Sequence, residues 1–426
     1  MIGKGGHLIY TLPYGQGSVQ LTLPHAAADS IVYQRPVLSS PPCMDHVLDH
    51  PIDSLRIQEA AKGCQSAVIL ISDSTRLCPS HLFLGSVIHR LNLAGIPDQQ
   101  IRIIVALGIH RKQSEDELIQ LVGPEIYRRV TVMNHSSLSE DCILLGHTSL
   151  GTPVEINKSV VAAEFRIATG NIEPHALVGI SGGAKALFPG TASARAIEHN
   201  HSLSQRYTAA LGDPNNAIRA DLEEVLQLVP IHFMLNVIVD HERQLLGAVA
   251  GDIIAAHRAG LELVRQIFFV NVPQRYDWVI VSPGGHPKDA QLYQSVKALK
   301  NAAAITKPGG SIVLVARCEE HYGNGTLQTW IETIQDRAVM TQKLKQTFVL
   351  GAHKVEHIDH VLKQHDVYMY SEMPPAAVQL IGMHPIAKLD AFLAEHLADS
   401  SLEIAIMPYG GMTFPQVKPP HAQKLL

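Results

Sequence analysis

Residues 67–107 read AVILISDSTRLCPSHLFLGSVIHRLNLAGIPDQQIRIIVAL and place a strand pattern, a helix pattern and a second strand pattern in succession. The runs AVILIS (67–72) and IRIIVAL (101–107) are short, apolar and rich in β-branched residues, which predicts buried strands. The intervening HLFLGSVIHRLNLAG (81–95) has a helical period. A strand, a helix and a strand in this order predict a βαβ unit and hence a parallel sheet.

The same alternation continues along the chain. Helical patterns lie between the further strands, and the helix near residue 115 opens with Ser114 and Glu117, the spacing of a capping box. The further predicted strands are RVTVM (129–133), FRIATG (165–170), DWVIVS (277–282), SIVLVA (311–316) and LEIAIMP (402–408). The prediction is an α/β protein with mainly parallel sheets and helices on both faces.

Two long helical patterns suggest where the chain divides. They are GAVAGDIIAAHRAGLELVRQIF (247–268) and PIAKLDAFLAEHLA (385–398). We predict two α/β domains joined by two helices around a cleft, a usual place for a small ligand. The predicted segments are an N-terminal domain (1–246), an interdomain helix (247–272), a C-terminal domain (273–384) and a return helix with the C-terminal segment (385–426).

Composition narrows the functional classes. The net charge is −5 and the sequence has no basic stripe, which argues against binding to nucleic acid. No apolar run approaches the roughly 20 residues that span a bilayer. The N-terminal segment lacks the apolar core of a secretory signal. Five scattered cysteines without a CxxC motif favour a reducing compartment, so we expect a cytoplasmic protein with neither nucleic-acid nor membrane partners. The 24 histidines alone are weak evidence for metal.

Charged and imidazole side chains follow four of the predicted strands. Because ligands bind at the carboxyl ends of strands in open parallel sheets, these loops predict a site. Each residue also has a plainer interpretation, such as a helix cap, a surface ion pair or a structural histidine. The residues are Asp73, Arg76, His110, His175, Gln294 and Lys297.

The segment NIEPHALVGISGGAKALFPG (171–190) carries the most unusual pattern. Its Ser181-Gly182-Gly183 turn can present backbone amides to an anion or be a simple tight turn. It is not a P-loop, because alanines flank Lys185 where glycine and a hydroxyl residue are required. Lys185 is therefore either a nucleophile or a phosphate contact. His201, if it binds metal, needs most of the other ligands from elsewhere, for example from a cofactor.

These segments resemble the nickel-dependent lactate racemase family of 2-hydroxy acid racemases and epimerases, through nearly the whole chain. The matching motifs are SDSTR (72–76), ALGIHR (106–111), GNIEPHALVGISGGAKALFPG (170–190), NH (200–201), LGAVAGD (246–252) and YQSVK (293–297).

The resemblance implies nickel and a pyridinium-3,5-bisthiocarboxylic acid mononucleotide, the nickel-pincer nucleotide, as cofactors. Lys185 matches the lysine that joins this nucleotide through a thioamide, and His201 matches the nickel-binding histidine. Ni(II) accepts a near-planar set of donors. From anion-nest reasoning, we expect the nucleotide's phosphate on the amides of Ser181, Gly182 and Gly183.

The resemblance also implies that His110 and His175 are acid/base residues serving opposite faces of the substrate. One imidazole takes the hydroxyl proton, a hydride leaves C2 for the cofactor, and a 2-keto acid reorients before the reverse step; the unperturbed pKa of histidine suits both directions. Asp73 and Arg76 match a substrate-site pair. Tyr293, Gln294 and Lys297 match an element of the second domain that completes the site on closure.

The implied partners are a small 2-hydroxy acid and the enzymes that make the cofactor. Which hydroxy acid or sugar acid is the substrate stays open. Two other interpretations remain: a phosphate-binding α/β oxidoreductase or transferase, and a non-catalytic cofactor carrier of the same fold. Against the oxidoreductase or transferase, the sequence lacks a G-x-G-x-x-G fingerprint after a strand. Against the carrier, a protein that only carries a cofactor needs neither His110 nor His175.

Overall fold

The structure, a computed structural model, describes residues 8–27, 29–33, 41–175, 177–207, 209 and 212–418. Residues 1–7 of the N-terminal segment and residues 419–426 of the predicted C-terminal segment lie outside these residues. The prediction of an α/β protein with mainly parallel sheets is confirmed.

The strands, in chain order, are β1 Leu8–Tyr14, β2 Gly17–Leu23, β3 Asp29–Ser30, β4 Ala67–Ile71, β5 Ile101–Val105, β6 Thr131–Asn134, β7 Cys142–His147, β8 Pro153–Asn157, β9 Phe165–Asn171, β10 Pro174–His175, β11 Gly179–Ile180, β12 Phe233–Val239, β13 Leu245–Gly251, β14 Phe269–Val272, β15 Tyr276–Val281, β16 Thr306–Val315, β17 Asp366–Tyr370, β18 His384–Pro385, β19 Ile404–Met407 and β20 Phe414–Val417.

The helices are α1 Met44–Asp49, α2 Ile57–Ala60, α3 Leu84–Leu93, α4 Glu115–Val122, α5 Pro124–Arg129, α6 Lys158–Ala162, α7 Ala194–Ser202, α8 Ala217–Glu224, α9 Ala255–Phe268, α10 Leu292–Ala303, α11 Gly325–Ile334, α12 Arg337–Gln346, α13 Lys354–Leu362, α14 Pro375–Ile381 and α15 Leu389–His396. The capping box predicted at the start of α4 is present.

The chain divides into two compact units. The first unit comprises residues 35–266, and its sheet has the order β13-β12-β9-β4-β5-β6. All neighbouring pairs in this sheet are parallel except β12 and β13. All five residues of β4 are buried, as expected for a central strand covered on both faces. This arrangement brings the ends of β4, β5 and β9 to one edge of the sheet.

The second unit comprises residues 1–34 and 267–426, and its sheet has the order β18-β17-β16-β15-β19-β3. The N-terminal hairpin β1–β2 belongs here because its buried Leu12, Leu21 and Leu23 share an apolar core with α15. Burying such side chains contributes about 1.5–3 kcal/mol each. The first unit therefore begins at residue 35, later than the predicted N-terminal domain (1–246).

The predicted helix over 247–272 also differs from the structure. Residues 245–251 form β13, which pairs antiparallel with β12, and the helix begins only at Ala255. Asp252 accepts hydrogen bonds from the backbone N–H groups of Ile254 and Ala255, which fixes this later start. The prediction was wrong here because the apolar residues of this glycine- and alanine-rich strand are spaced as they would be in a helix. The return helix is likewise shorter than predicted, spanning Leu389–His396.

Among the described residues, no helix combines the length and the apolar character that crossing a membrane requires.

Candidate active site

Asp73 and His110 meet at the carboxyl ends of the neighbouring strands β4 and β5. Nδ1 of His110 lies 2.7 Å from Oδ2 of Asp73. Oδ1 of Asp73 accepts two hydrogen bonds from Thr75, one from its backbone N–H at 2.9 Å and one from its hydroxyl at 2.5 Å. Asp73 is 3% exposed, so this carboxyl group is buried, and each of its two oxygens has a hydrogen-bonding partner.

The protonation of this pair follows from its surroundings. Burial alone would raise the pKa of Asp73, but the hydrogen bond from His110 and the charges of His110 and Arg76 outweigh burial, and the pKa falls well below its usual range. An ionised carboxylate only accepts hydrogen bonds, so Nδ1 of His110 is the donor. The Nε2 atom of neutral His110 then carries a lone pair and can accept a proton.

Arg76 belongs to the same turn. Its backbone N–H donates to the carbonyl of Asp73 at 3.1 Å, and its half-buried guanidinium contributes to the lowered pKa of Asp73. A guanidinium fork is suited to binding a carboxylate in two places. The structure thus brings three of the predicted site residues, Asp73, Arg76 and His110, to one edge of the sheet.

His175 and Lys185 are in direct contact. His175 lies in the short hairpin β10–β11, and its Nδ1 accepts hydrogen bonds from the backbone N–H groups of Leu177 at 3.2 Å and Val178 at 3.4 Å. On the other side of the ring, Nε2 is 2.9 Å from Nζ of Lys185. The sequence predicted a role for each residue but gave no sign of this contact.

The Ser181-Gly182-Gly183 turn is built differently from the predicted anion cradle. The Ser181 N–H donates to the carbonyl of Glu173 at 2.8 Å, and the Gly183 N–H donates to Oδ1 of Asn236 at 2.7 Å. Two of the three amides are thus committed to protein acceptors. A phosphate on these two amides would have to displace those bonds, so we do not assign them to phosphate.

The two glycines are needed for the backbone and for packing. Gly182 and Gly183 have φ of 76° and 60°, which side-chain-bearing residues rarely adopt. A Cβ on Gly183 would lie 2.7 Å from Nη2 of Arg219 and 2.9 Å from the ring of His257. The plainer interpretation of a tight turn therefore accounts for much of this motif.

A buried cationic cluster beneath the turn was missed at the sequence level. Arg219 on α8 has no exposed surface and donates to the carbonyls of Ile180 at 2.9 Å and Gly182 at 3.2 Å. Burial lowers the pKa of Arg219 to about 10, although Glu223 opposes the shift. Nε2–H of His257 donates to the carbonyl of Ser181 at 2.7 Å, and burial together with the charge of Arg219 holds its pKa well below the usual value. The helical pattern RADLEEVLQLV (219–229) gave no sign that Arg219 is buried.

His201 lies in the last turn of α7, and a buried carboxylate anchors this helix. Asp221 on α8 is 1% exposed and accepts hydrogen bonds at 2.7 Å from Thr152 Oγ1 and from Nδ2 of Asn200, the residue before His201. Nδ1 of His199 is 3.0 Å from Thr152 Oγ1. Within the part of the chain that the structure describes, no group of three or more histidine, cysteine, aspartate or glutamate side chains is arranged to hold a metal ion.

Tyr293, Gln294 and Lys297 lie in the second unit, in the first turns of α10. Lys297 lies three residues after Gln294 and four after Tyr293, so it neighbours both on the helix surface. Nζ of Lys297 is 5.5 Å from the ring centre of Phe414, and Nζ of Lys354 lies 4.9 Å above the ring of Tyr293. Their predicted role in completing the site on domain closure stays a prediction.

Comparison with known proteins agrees with this geometry. Residues 14–212 match the family described as "Lactate racemase N-terminal domain", and residues 272–413 match "Lactate racemase C-terminal domain". The chain belongs to the lactate racemase family. It is accordingly an isomerase of the racemase class.

Two curated relatives carry the name lactate racemase. The protein from Lactiplantibacillus plantarum is 30% identical over 386 residues, covering 88% of this chain and 90% of the relative. The protein from Thermoanaerobacterium thermosaccharolyticum is 29% identical over 415 residues, covering 94% of this chain and 97% of the relative. Both alignments include the first and the second unit of this family member.

Solved structures support the fold of this lactate racemase family member. The lactate racemase apoprotein from T. thermosaccharolyticum superposes with a TM-score of 0.85 at 28% identity, covering 96% of this chain and all of that one. A protein from Thermotoga maritima superposes with a TM-score of 0.68 at 17% identity, which shows a shared fold alone.

Proposed function

We propose that this enzyme interconverts the stereoisomers of a 2-hydroxy acid at C2, with lactate the first substrate to test. The observation that carries the proposal is the Asp73–His110 pair, in which a buried carboxylate lies against Nδ1 of an imidazole and so leaves the lone pair of the neutral ring on Nε2. The names of the two curated relatives support the choice of lactate. The reaction needs a base that removes the hydroxyl proton and an acid that returns one on the opposite face.

In this proposal, His110 and His175 are those two groups. Nε2 of His110 accepts the hydroxyl proton of one stereoisomer, and Asp73 stabilises the imidazolium that forms. His175 serves the other stereoisomer. Arg76 binds the carboxylate and so fixes which hydrogen of the substrate faces each imidazole. In the same proposal, Tyr293, Gln294 and Lys297 contribute to binding the substrate.

The donor set fits the nickel-pincer nucleotide that the family resemblance implies. Lys185 offers an amine for the covalent link, and His201 offers one imidazole, which suffices for nickel when the cofactor brings its own sulfur ligands. The cofactor would supply a hydride acceptor for C2, and Lys185 and His201 would hold it in place. We also propose that the enzyme receives this group from cofactor-making enzymes in the cytoplasm; its five free cysteines support a reducing compartment.

Chiral chromatography tests the proposal. The enzyme is co-expressed with cofactor-making enzymes and incubated with enantiopure L-lactate, other 2-hydroxy acids and aldonic acids. We expect one of these to approach an equilibrium mixture of stereoisomers, and His110→Ala to lower the initial rate by about 10²–10⁴-fold. If wild-type turnover survives in both His110→Ala and His175→Ala, the two-base scheme is excluded.

A further inference from the structure

Helix α8 is hydrogen-bonded to both elements that carry predicted cofactor ligands. Arg219 and Asp221 are two residues apart on α8, and two residues turn an α-helix by about 200°, so the two side chains leave it on nearly opposite sides. Arg219 bonds to the turn before Lys185, and Asp221 bonds to the last turn of α7, which carries His201. The helix therefore links the two predicted attachment points of the cofactor.

The Arg219 end of α8 holds the turn. Its Nη1 donates to the carbonyl of Ile180 at 2.9 Å, and its Nη2 donates to the carbonyl of Gly182 at 3.2 Å. Nε donates to Glu223, one turn further along α8, at 2.6 Å, so the guanidinium is fixed to its own helix. Arg219 has no exposed surface, and hydrogen bonds are stronger in such a low-dielectric setting than at a surface. The position of this turn is therefore tied to α8.

The Asp221 end holds both residues that precede His201. Nδ2 of Asn200 donates to Oδ2 of Asp221 at 2.7 Å, and Oδ1 of Asn200 is buried with no hydrogen-bond partner among the described residues, so the bond to Asp221 orients this amide. The hydroxyl of Thr152 also donates to Oδ2 of Asp221, at 2.7 Å, and has no second hydrogen to give. Nδ1 of His199, 3.0 Å from that hydroxyl, is therefore the donor to it.

These contacts fix the rotation of α7 about its axis. His199 and Asn200 are consecutive, so their side chains leave the helix about 100° apart. The last turn cannot roll without breaking one of the two bonds, and the direction of the next side chain, His201, is set as well. The hydroxyl of Thr148 donates to the other oxygen of Asp221, which ties the β7–β8 turn to the same carboxyl group.

We propose that α8 is a spacer that sets the positions of Lys185 and His201 relative to each other, and that Asp221 is a positioning residue for the metal-binding imidazole. The inference rests on the proposed function for the identity of the group that the two side chains hold. A rigid group attached at two points tolerates little change in their separation, because metal–ligand distances vary by only about 0.2 Å. Partners that orient metal-binding histidines typically contribute about 10–100-fold in metal affinity.

Hydrogen exchange on protein made without the cofactor-making enzymes tests the spacer by itself. We expect Asp221→Ala to speed amide exchange in the last turn of α7 (199–202) by about tenfold, because its hydrogen bonds are lost. Asn200→Ala should have a smaller effect in the same place. Arg219→Lys, whose single ammonium group cannot span both carbonyl oxygens, should speed exchange over 180–186 and leave α7 unchanged. Unchanged exchange at α7 in folded Asp221→Ala or Asn200→Ala, or over 180–186 in folded Arg219→Lys, would overturn the inference.

Two further variants serve as controls. Asp221→Asn keeps one acceptor oxygen for two of the three donors and places an NH₂ group against Thr148, whose hydroxyl can accept, so we expect exchange at α7 close to the wild type. Asp359→Ala removes a buried carboxylate from α13 in the second unit, where it pairs with Lys363 at 2.6 Å. This variant should lower stability and leave α7 unchanged. Exchange at α7 that rises as much in Asp359→Ala as in Asp221→Ala would show general destabilisation and overturn the inference.

Nickel release separates this inference from the proposed function. Adduct-bearing protein is mixed with a chelator, elemental analysis measures the nickel that remains, and intact mass follows the adduct. We expect Asp221→Ala to release nickel about 10–100-fold faster than the wild type or Asp359→Ala, with the adduct on Lys185 kept. Equal release rates would overturn the positioning role of Asp221 and leave the proposed function intact. If the wild type gains neither adduct nor nickel while exchange at α7 responds as expected, the spacer stands and the proposed cofactor chemistry fails.

Discussion

Replacing Asp73 by asparagine should disable His110 without removing it. One carboxylate oxygen of Asp73 accepts two hydrogen bonds from Thr75, and the other accepts the Nδ1 proton of His110. Asparagine has a single acceptor oxygen and an NH₂ group that only donates. With the oxygen kept by the two donors of Thr75, the NH₂ group faces His110. Nδ1 must then accept, so the ring proton moves to Nε2 and the base is lost.

The size of the effect follows from general acid–base catalysis. Losing a positioned base costs about 10²–10⁴-fold in turnover, which corresponds to about 3–5 kcal/mol in the activation barrier. The loss of the charge-assisted hydrogen bond accounts for about 1.5–3 kcal/mol of this. The assay is the initial rate of racemisation, divided by the content of nickel and of Lys185 adduct in each preparation.

Asp98→Asn provides the matched control. Asp98 makes the same kind of charged contact, with Arg129 at 2.9 Å, but lies outside the site. Its replacement should leave turnover unchanged. A normalised turnover of Asp73→Asn within about threefold of the wild type would refute the assignment of the His110 tautomer.

Three further variants test other parts of the account. The hydrogen bond from Arg111 lowers the pKa of Glu117 to about 2, so Glu117 stabilises the fold above its unfolded pKa near 4.5 and loses this contribution as the pH falls. In urea titrations, Glu117→Gln should lower the unfolding free energy by about 1 kcal/mol at pH 7, allowing for solvent screening. The loss should become progressively smaller from pH 4.5 to 3. Gly183→Ala should destabilise the protein by about 1–3 kcal/mol in thermal unfolding, because the new Cβ would lie 2.7 Å from the buried guanidinium of Arg219. As the control, Gly85→Ala should stabilise the protein by up to about 1 kcal/mol, because Gly85 lies in a helix and has open space around it. His201→Ala should lose nickel in elemental analysis but keep the covalent adduct, and retention of full nickel would exclude this ligand.

Residue pattern alone predicted the central sheet of the first unit. AVILIS and IRIIVAL became β4 and β5, which pair in parallel, because a buried run of β-branched residues has few other stable conformations. The β13 strand was not predicted, since its LLGAVAG sequence has no strong β-branched alternation, and only pairing with β12 makes it a strand. Local sequence carries little information about such long-range pairing.

The candidate site shows the same division. The position of Asp73 and His110 after adjacent strands was enough to predict that they lie near each other. The contact between His175 and Lys185 depends on how the β10–β11 hairpin folds back over the glycine turn, and ten residues of separation do not determine that path. Arg219 could not be predicted because a buried arginine and a solvated arginine look alike in a helix of mixed charge.

The mass of the working enzyme tests the central claim most directly. Protein is co-expressed with cofactor-making enzymes, shown to racemise its substrate, and measured by intact-mass spectrometry followed by peptide mapping. We predict a mass above that of the bare sequence by one cofactor less one water, located on Lys185. In Lys185→Ala, we predict that both this added mass and the activity are absent. A preparation that racemises at full rate while every molecule has the mass of the bare sequence would contradict the account.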